Sequence, residues 1–243
     1  MSVDEVAGMD AYEKPVRAVV FDMDGLLLDS ERLAVESLAV SGGELGFELS
    51  REFCHSLIGM PADRCRELAA AAFGPGFPLD EFFARHETVI ARLVDEGRLA
   101  TKPGVAELLD ELDERGLPRA IATSSNRDRT RHHLRAVGLW ERFDAIVTRQ
   151  DVRRGKPHPE PYLTAAAALD TAPELTLACE DSPNGLRAAH AAGLRCMLIP
   201  DLVPATAETS GLAHRVYPDL LHVIDYIAAA NDAVPRQYRP VLW

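Results

Sequence analysis

At 243 residues, 47% hydrophobic and 26% charged, the chain has room for one large core, or a core with a smaller companion, and its composition is that of a folded globular protein. A formal net charge of −12 argues against a nucleic-acid surface, which needs clustered Lys and Arg to displace counterions from phosphates. The same field repels small phosphate esters at long range, so any anion site has to be built locally from a divalent cation, a lysine and backbone N–H groups.

Residues 1–14 are acidic and lack a basic start followed by an apolar run, so neither a signal peptide nor a membrane anchor is expected there. The run 17–21, Arg-Ala-Val-Val-Phe, is short, apolar and β-branched in its middle, and it stops abruptly at Asp22, as a buried parallel strand does. Residues 32–100 show helical periodicity without a convincing strand. Leu33, Ser37, Val40, Phe82, Val89, Ile90, Leu93 and Val94 fit amphipathic faces, and Gly74-Pro75-Gly76 with Pro78 marks a turn between helices. Beyond them, apolar runs at 119–123, 145–148, 175–179 and 195–199 alternate with helical segments. The first of these segments puts Val105, Leu108, Leu109 and Leu112 on one face, between Pro103 and Gly116. The next can be capped by Ser125 or Asn126, and another is introduced by Asn184, with Ala188, Ala191 and Ala192 small enough for close packing. Such alternation predicts an α/β fold, a doubly wound parallel sheet of Rossmann type covered by helices on both sides, with an all-helical cap inserted over its ligand end. The expected division is a core of residues 15–31 and 101–230, a cap of 32–100, and tails of 1–14 and 231–243. The four cysteines, Cys54, Cys65, Cys179 and Cys196, form no C-x-x-C pair; Cys179 and Cys196 read as strand packing, and a reducing cytoplasm is expected.

The chemistry sits where strands end. Asp22-Met23-Asp24-Gly25 follows the first strand, at the carboxyl edge where open α/β sheets bind ligands. A surface turn would also explain Asp and Gly there, whereas a calcium loop would need an oxygen ligand in place of Leu26. Thr123-Ser124-Ser125 follows the second strand, where hydroxyls and N–H groups can hold phosphate at a helix start, although helix capping alone accounts for Ser125. Lys156, held in Gly155-Lys156-Pro157-His158-Pro159, is a candidate phosphate clamp. Only Lys14 and Lys102 are further lysines, and the surrounding pattern is not a Walker loop. Glu180-Asp181-Ser182 closes the strand at 175–179; adjacent acids at a buried edge call for a hard divalent cation, though a helix dipole would account for one of the two.

This ordered set resembles the four signature motifs of the haloacid dehalogenase superfamily. The run Phe21-Asp22-Met23-Asp24-Gly25-Leu26-Leu27-Leu28-Asp29-Ser30-Glu31 is similar to that of its β-phosphoglucomutase-like branch of sugar and nucleoside phosphatases. The resemblance spans nearly the whole chain except the two tails. It implies a Mg²⁺-dependent phosphomonoesterase in which Asp22 is a nucleophile transiently phosphorylated and Asp24 is the acid that protonates the leaving group and then the base that activates water. It further implies that Thr123, Ser124 and Lys156 hold phosphoryl oxygens. Asp22, Asp24 through its carbonyl, and Asp181 would hold the metal, with Glu180 either a direct ligand or the holder of a metal water. Substrate closure is expected to desolvate Asp24 and favour its protonated form. Gly59, Arg64 and Arg127 are candidates for recognising a small phosphorylated metabolite, and a monomer or weak dimer without nucleic-acid or membrane partners is expected. His132 and His133 read as surface or packing residues.

The nearest alternative is a sugar phosphate mutase. Family mutases carry a histidine where Ala34 aligns and an arginine where Ala62 aligns, so both departures favour hydrolysis, although Arg64 could substitute in an altered loop. A phosphonatase would need a cap lysine, and none lies between Glu31 and Ala100; a dehalogenase has no use for Asp24. From a different class, a catalytically silent binding module would show no phosphate release. Hinges for cap closure are expected near 30–32 and 100–104.

Overall fold

A computed structural model describes residues 14–58, 60 and 62–232. Six parallel strands form one sheet: β1 Ala18–Phe21, β2 Arg119–Ala122, β3 Ala145–Val147, β4 Thr176–Glu180, β5 Arg195–Leu198 and β6 Arg215–Val216, in the order β3-β2-β1-β4-β5-β6. Connections from β1 run outward to β2 and β3, and the chain then returns to lay β4 on the other side of β1. The crevice between the carboxyl ends of β1 and β4 is therefore the switch point at which doubly wound sheets bind ligands.

The two faces of the sheet differ in bulk. Val19, Phe21, Ile121, Leu177, Cys179 and Met197 face α5 (Val105–Arg115), α6 (Arg127–Ala136) and the helix Leu221–Asp232. The other face is mostly small, with Ala18, Val20, Ala120, Ala122, Ala178 and Cys196 packed against α7 (Glu160–Ala168) and α8 (Pro183–Ala191). Small residues on both sides of that contact, including Ala165, Ala188 and Ala189, let the helix axes come close. Helix α5 follows the expected pattern: Val105, Leu108, Leu109 and Leu112 are buried, and Gly104 and Gly116 cap it in left-handed conformations. Each of those four side chains contributes about 1.5–3 kcal/mol of burial.

Between β1 and α5 lie four helices, α1 Ser30–Glu44, α2 Arg51–Ser56, α3 Ala62–Phe73 and α4 Leu79–Asp95, with no strand among their described residues. The outer part of this insert has its own apolar cluster around Leu38, Leu49, Cys54, Phe77 and Phe82. Its inner part does not: Leu33, Val89, Ile90, Leu93 and Val94 join the large cluster of the sheet. The chain leaves and re-enters through paired backbone, with Asp29 N–H donating to Ala100 O at 2.9 Å and Lys102 N–H to Leu27 O at 2.9 Å.

Two local details depart from expectation, and a third settles a choice between two caps. The sheet has a sixth strand, β6, whose two residues are exposed and carry no apolar run for a reader to notice. Helix α8 is capped by Ser182, whose side chain accepts from Gly185 N–H, and not introduced by Asn184. Asn126, and not Ser125, caps α6, accepting from Arg129 N–H at 2.9 Å. All four cysteines are free and buried.

Candidate active site

Asp22 is the first residue past β1, and its N–H still donates to Cys179 O at 3.0 Å, so its side chain is fixed at the crevice between β1 and β4. Lys156 reaches in from the loop before α7, with Nζ 2.5 Å from Asp22 Oδ1 and 2.5 Å from Glu180 Oε1. Glu180 is wholly buried and every side-chain oxygen is occupied. Tyr162 OH donates to Oε1 at 2.6 Å; Ser182 N–H and Oγ–H donate to Oε2 at 3.2 and 2.9 Å. Asp181 is 6% exposed, and its Oδ1 has no hydrogen-bond partner.

Carboxylate oxygens of Asp22, Glu180 and Asp181 lie within 4.8 Å of one another. Three buried acids face one lysine, an imbalance that water cannot relieve. Burial, reinforced by Glu180 and Asp24, pushes Asp22 up to about 7 despite Lys156. Asp181 is driven well above the carboxylate range by burial and by Asp22, Glu180 and Glu31. Burial works against the Lys156 ammonium, but Asp22 and Glu180 outweigh it and raise its pKa. An all-oxygen, net-negative site with an orphaned, buried carboxylate oxygen fits a hard divalent cation. The compensating charge would return both aspartates to their ionised forms.

Asp24 lies beside this group in a tight turn, closed by Gly25 N–H donating to Leu28 O at 2.9 Å. Gly25 has φ +85°, and a Cβ there would overlap Asp181 Oδ2, so the position needs glycine both for its conformation and for the close approach. The Asp24 side chain accepts from Ser30 Oγ–H and Ser125 Oγ–H, each at 2.7 Å, and Arg129 stands 4.0 Å away. Burial opposes ionisation here, but Arg129 and the two hydroxyls prevail, and the carboxyl is held below its usual range. Far from being poised as an acid, Asp24 in this conformation is a well-stabilised carboxylate.

Thr123 is buried, and its Oγ1 accepts from Ser125 N–H at 3.0 Å; Ser124 next to it is exposed. Arg127 is exposed and engaged by Asp151. Arg64 is not brought to the acidic group: it is 56% exposed and pairs with Glu67 at 2.7 Å on α3. Gly59 lies outside the described residues. His133 is buried packing, whereas the half-buried His132 meets Asp95 of the insert at 2.7 Å. Sequence reasoning missed Ser30, Tyr162, Ser182 and Arg129 as holders of the charged groups, and it assigned Ser125 only to capping or phosphate. A tyrosine in the alanine-rich run after the Lys156 loop was the one available hint.

Residues 19–199 match the family of haloacid dehalogenase-like hydrolases. The chain is 34% identical to hexitol phosphatase B of Escherichia coli, over 86% of this chain and 98% of that protein. It is 31% identical to the phosphorylated carbohydrates phosphatase of Thermotoga maritima, over 74% and 82%. Among solved structures, a haloacid dehalogenase family hydrolase of Deinococcus radiodurans with bound phosphate and sodium superposes with a TM-score of 0.75. That match has 32% identity and covers 89% of this chain and 96% of that one.

Proposed function

The chain belongs to the haloacid dehalogenase-like hydrolases, and from that premise we propose that it is a Mg²⁺-dependent phosphatase of small phosphorylated metabolites, a sugar phosphate or nucleoside phosphate, working through a phosphorylated Asp22. The observation that carries this reading is the Lys156 ammonium held between Asp22 and Glu180 beside the unpartnered oxygen of Asp181. It joins a nucleophile, a phosphoryl clamp and a cation seat in one crevice.

Phosphate-monoester hydrolysis without a catalyst is slow enough to need acceleration of up to about 10²¹-fold. Asp22 attacks phosphorus, displacing the alcohol oxygen, and the resulting acyl phosphate is then opened by water. Lys156, Thr123 and the Ser124 N–H neutralise and orient the phosphoryl oxygens. Asp22, the Asp24 carbonyl and Asp181 are the residues that would hold Mg²⁺; bound there, it supplies charge compensation between nucleophile and phosphate. Glu180, with all its acceptor sites used, is assigned to holding Lys156 rather than to the ion. Asp24 as found is ready for its second task, accepting a proton from the attacking water. Its first task, giving a proton to the leaving alkoxide, requires the Ser30 and Ser125 bonds to be exchanged for substrate contacts when the insert closes as a cap. Ala34, where family mutases carry a histidine, packs against the apolar cluster and offers no group to a second sugar hydroxyl. Among the described residues no helix is long and apolar enough to cross a membrane.

The test is phosphate release from a panel of sugar phosphates, nucleotides and an aryl phosphate, with and without Mg²⁺, for wild type and Asp22→Asn. Turnover that needs Mg²⁺ and disappears in folded Asp22→Asn is expected. Turnover that survives Asp22→Asn would overturn the covalent mechanism, and a folded, metal-loaded wild type inactive across the panel would overturn the phosphatase reading.

A further inference from the structure

Gly25 leaves open one spot that two carboxyl groups approach from different elements. A Cβ on Gly25 would overlap Asp181 Oδ2 and stand 3.3 Å from Glu31 Cδ. Asp181 comes from the end of β4; Glu31 comes from the first turn of α1, the first helix of the insert. The Asp181 carboxyl is more than nine-tenths buried, with Oδ1 unpartnered, and Glu31 Oε2 is likewise buried without a partner.

The remaining surroundings of Glu31 do not supply the missing donor. Its carboxyl accepts from the backbone N–H of Leu202, while Lys102, the nearby ammonium, is taken by Asp201 at 2.5 Å. An acid in the first helical turn gains a little from the helix dipole, but that gain does not require converging on a second buried acid. Two carboxylates brought together with unfilled acceptor oxygens repel unless strongly polarised donors come between them. Water molecules in the shell of a divalent cation are such donors, and outer-shell partners of this kind orient metal ligands.

We infer that Glu31 is a positioning residue of the cation site: its carboxylate accepts a hydrogen bond from a water carried by the ion at Asp22 and Asp181, which fastens the first helix of the insert to the loaded core. The inference rests on the metal-assisted reading above. It adds that ion loading is felt at the hinge, since Glu31 follows the backbone pairing of Asp29 with Ala100 by only two residues.

The experiment is Mn²⁺ binding to the metal-free full chain, followed by the electron paramagnetic resonance of free Mn²⁺, for wild type, Glu31→Gln and Asp181→Asn. Amide exchange at residues 30–34 is read with and without the ion. Gln keeps the shape and the acceptor for Leu202 but removes the charge. Glu31→Gln is expected to bind about tenfold more weakly, with an unaltered metal-free melting temperature, and to lose the slowing of amide exchange that Mn²⁺ produces in wild type. Should Glu31→Gln melt early, Glu31→Asp keeps the charge but withdraws the carboxyl by one methylene, and the same weakening is expected. Binding by the folded Glu31 variant within about twofold of wild type, with Asp181→Asn deficient, overturns the role of Glu31 and leaves the metal reading intact. Absence of binding by wild type, or equal binding by all variants, overturns both.

Discussion

Lys156 holds its charge where solvent cannot share it: the side chain is 4% exposed and sits between Asp22 and Glu180. Removing one member of such a buried group strands the others, at a cost of about 3–5 kcal/mol. Lys156→Met should therefore lower stability by about that much in urea unfolding at neutral pH, and the double variant Lys156→Met/Glu180→Gln should recover much of it. Its kcat should fall by about 10²–10³, the usual consequence of losing one electrostatic stabiliser of the transition state. Ser125 makes a subtler prediction. Its hydroxyl helps hold Asp24 below the ordinary carboxylate range, so Ser125→Ala raises the folded pKa of Asp24. On the proposed mechanism, hydrolysis of a phosphorylated Asp22 needs Asp24 ionised, so the acidic limb of kcat against pH should move upward; an unmoved limb would remove Asp24 as the base. These two residues also mark the limit of legibility. Asp22, Asp24, Glu180 and Asp181 stand out in the sequence because each is charged and follows an apolar run, Lys156 because it is one of three lysines and sits between glycine and proline, and the structure gathers them within one crevice. Ser125 and Ser30 act through single hydrogen bonds whose geometry depends on three separate elements, and a serine ahead of a helix looks the same whether it caps that helix or grips a carboxylate.

Helices α7 and α8 determine what Glu180 can do. The alanine-lined face of the sheet lets α7 come close enough for Tyr162 OH to donate to Glu180 from beneath. The first turn of α8 comes closer still, since a Cβ on Gly185 would overlap the Glu180 carboxylate. Gly185→Ala is thus an overpacking change at a wholly buried acid and should cost about 1–3 kcal/mol. Because Glu180 can yield only by tilting Lys156, kcat should drop as well; a variant with wild-type urea midpoint and kcat would show that α8 gives way instead. The five principal strands were readable to within a residue or two, since each is a short apolar run ended by polar or turn residues. β6 was not, because it is an exposed Arg-Val pair, in backbone register with Met197 and Leu198, with no apolar run to mark it. The α8 cap was misplaced because Asn184 and Ser182 are both good capping residues; Pro183, which lacks an N–H and suits the first helical position, favours Ser182.

The insert is rooted in the sheet's own apolar cluster and meets the core again along α4 and α6. There Arg129 stands 3.6 Å from Glu87, and His132 meets Asp95 at 2.7 Å. The insert was legible as the run 32–100 of helical spacing without a strand, but its seam with the core was not. The α6 sequence Arg-Asp-Arg-Thr-Arg-His-His-Leu-Arg-Ala is polar nearly all round, so no periodicity says which side faces the insert. Two imidazoles lie in this seam, His133 on α6 and His86 on α4, where Ser37 Oγ is 2.6 Å from Nδ1. Burial lowers each to about 4. Arg129 adds to both; His132 also lowers His133, while Asp24 opposes that shift. In the unfolded chain both take up protons near 6.5; in the fold they stay neutral until about 4. Their contribution to stability is complete above pH 6.5 and is lost as pH falls toward 4, by up to about 3 kcal/mol for each. A His86→Gln/His133→Gln variant has no such protons to take up. Its deficit in urea unfolding free energy relative to wild type should be largest at pH 7.5 and shrink steadily through pH 5.5 to 4.5. A deficit that stays constant across that range would mean the imidazoles are protonated in the fold as readily as out of it, and that the seam does not exclude water from them.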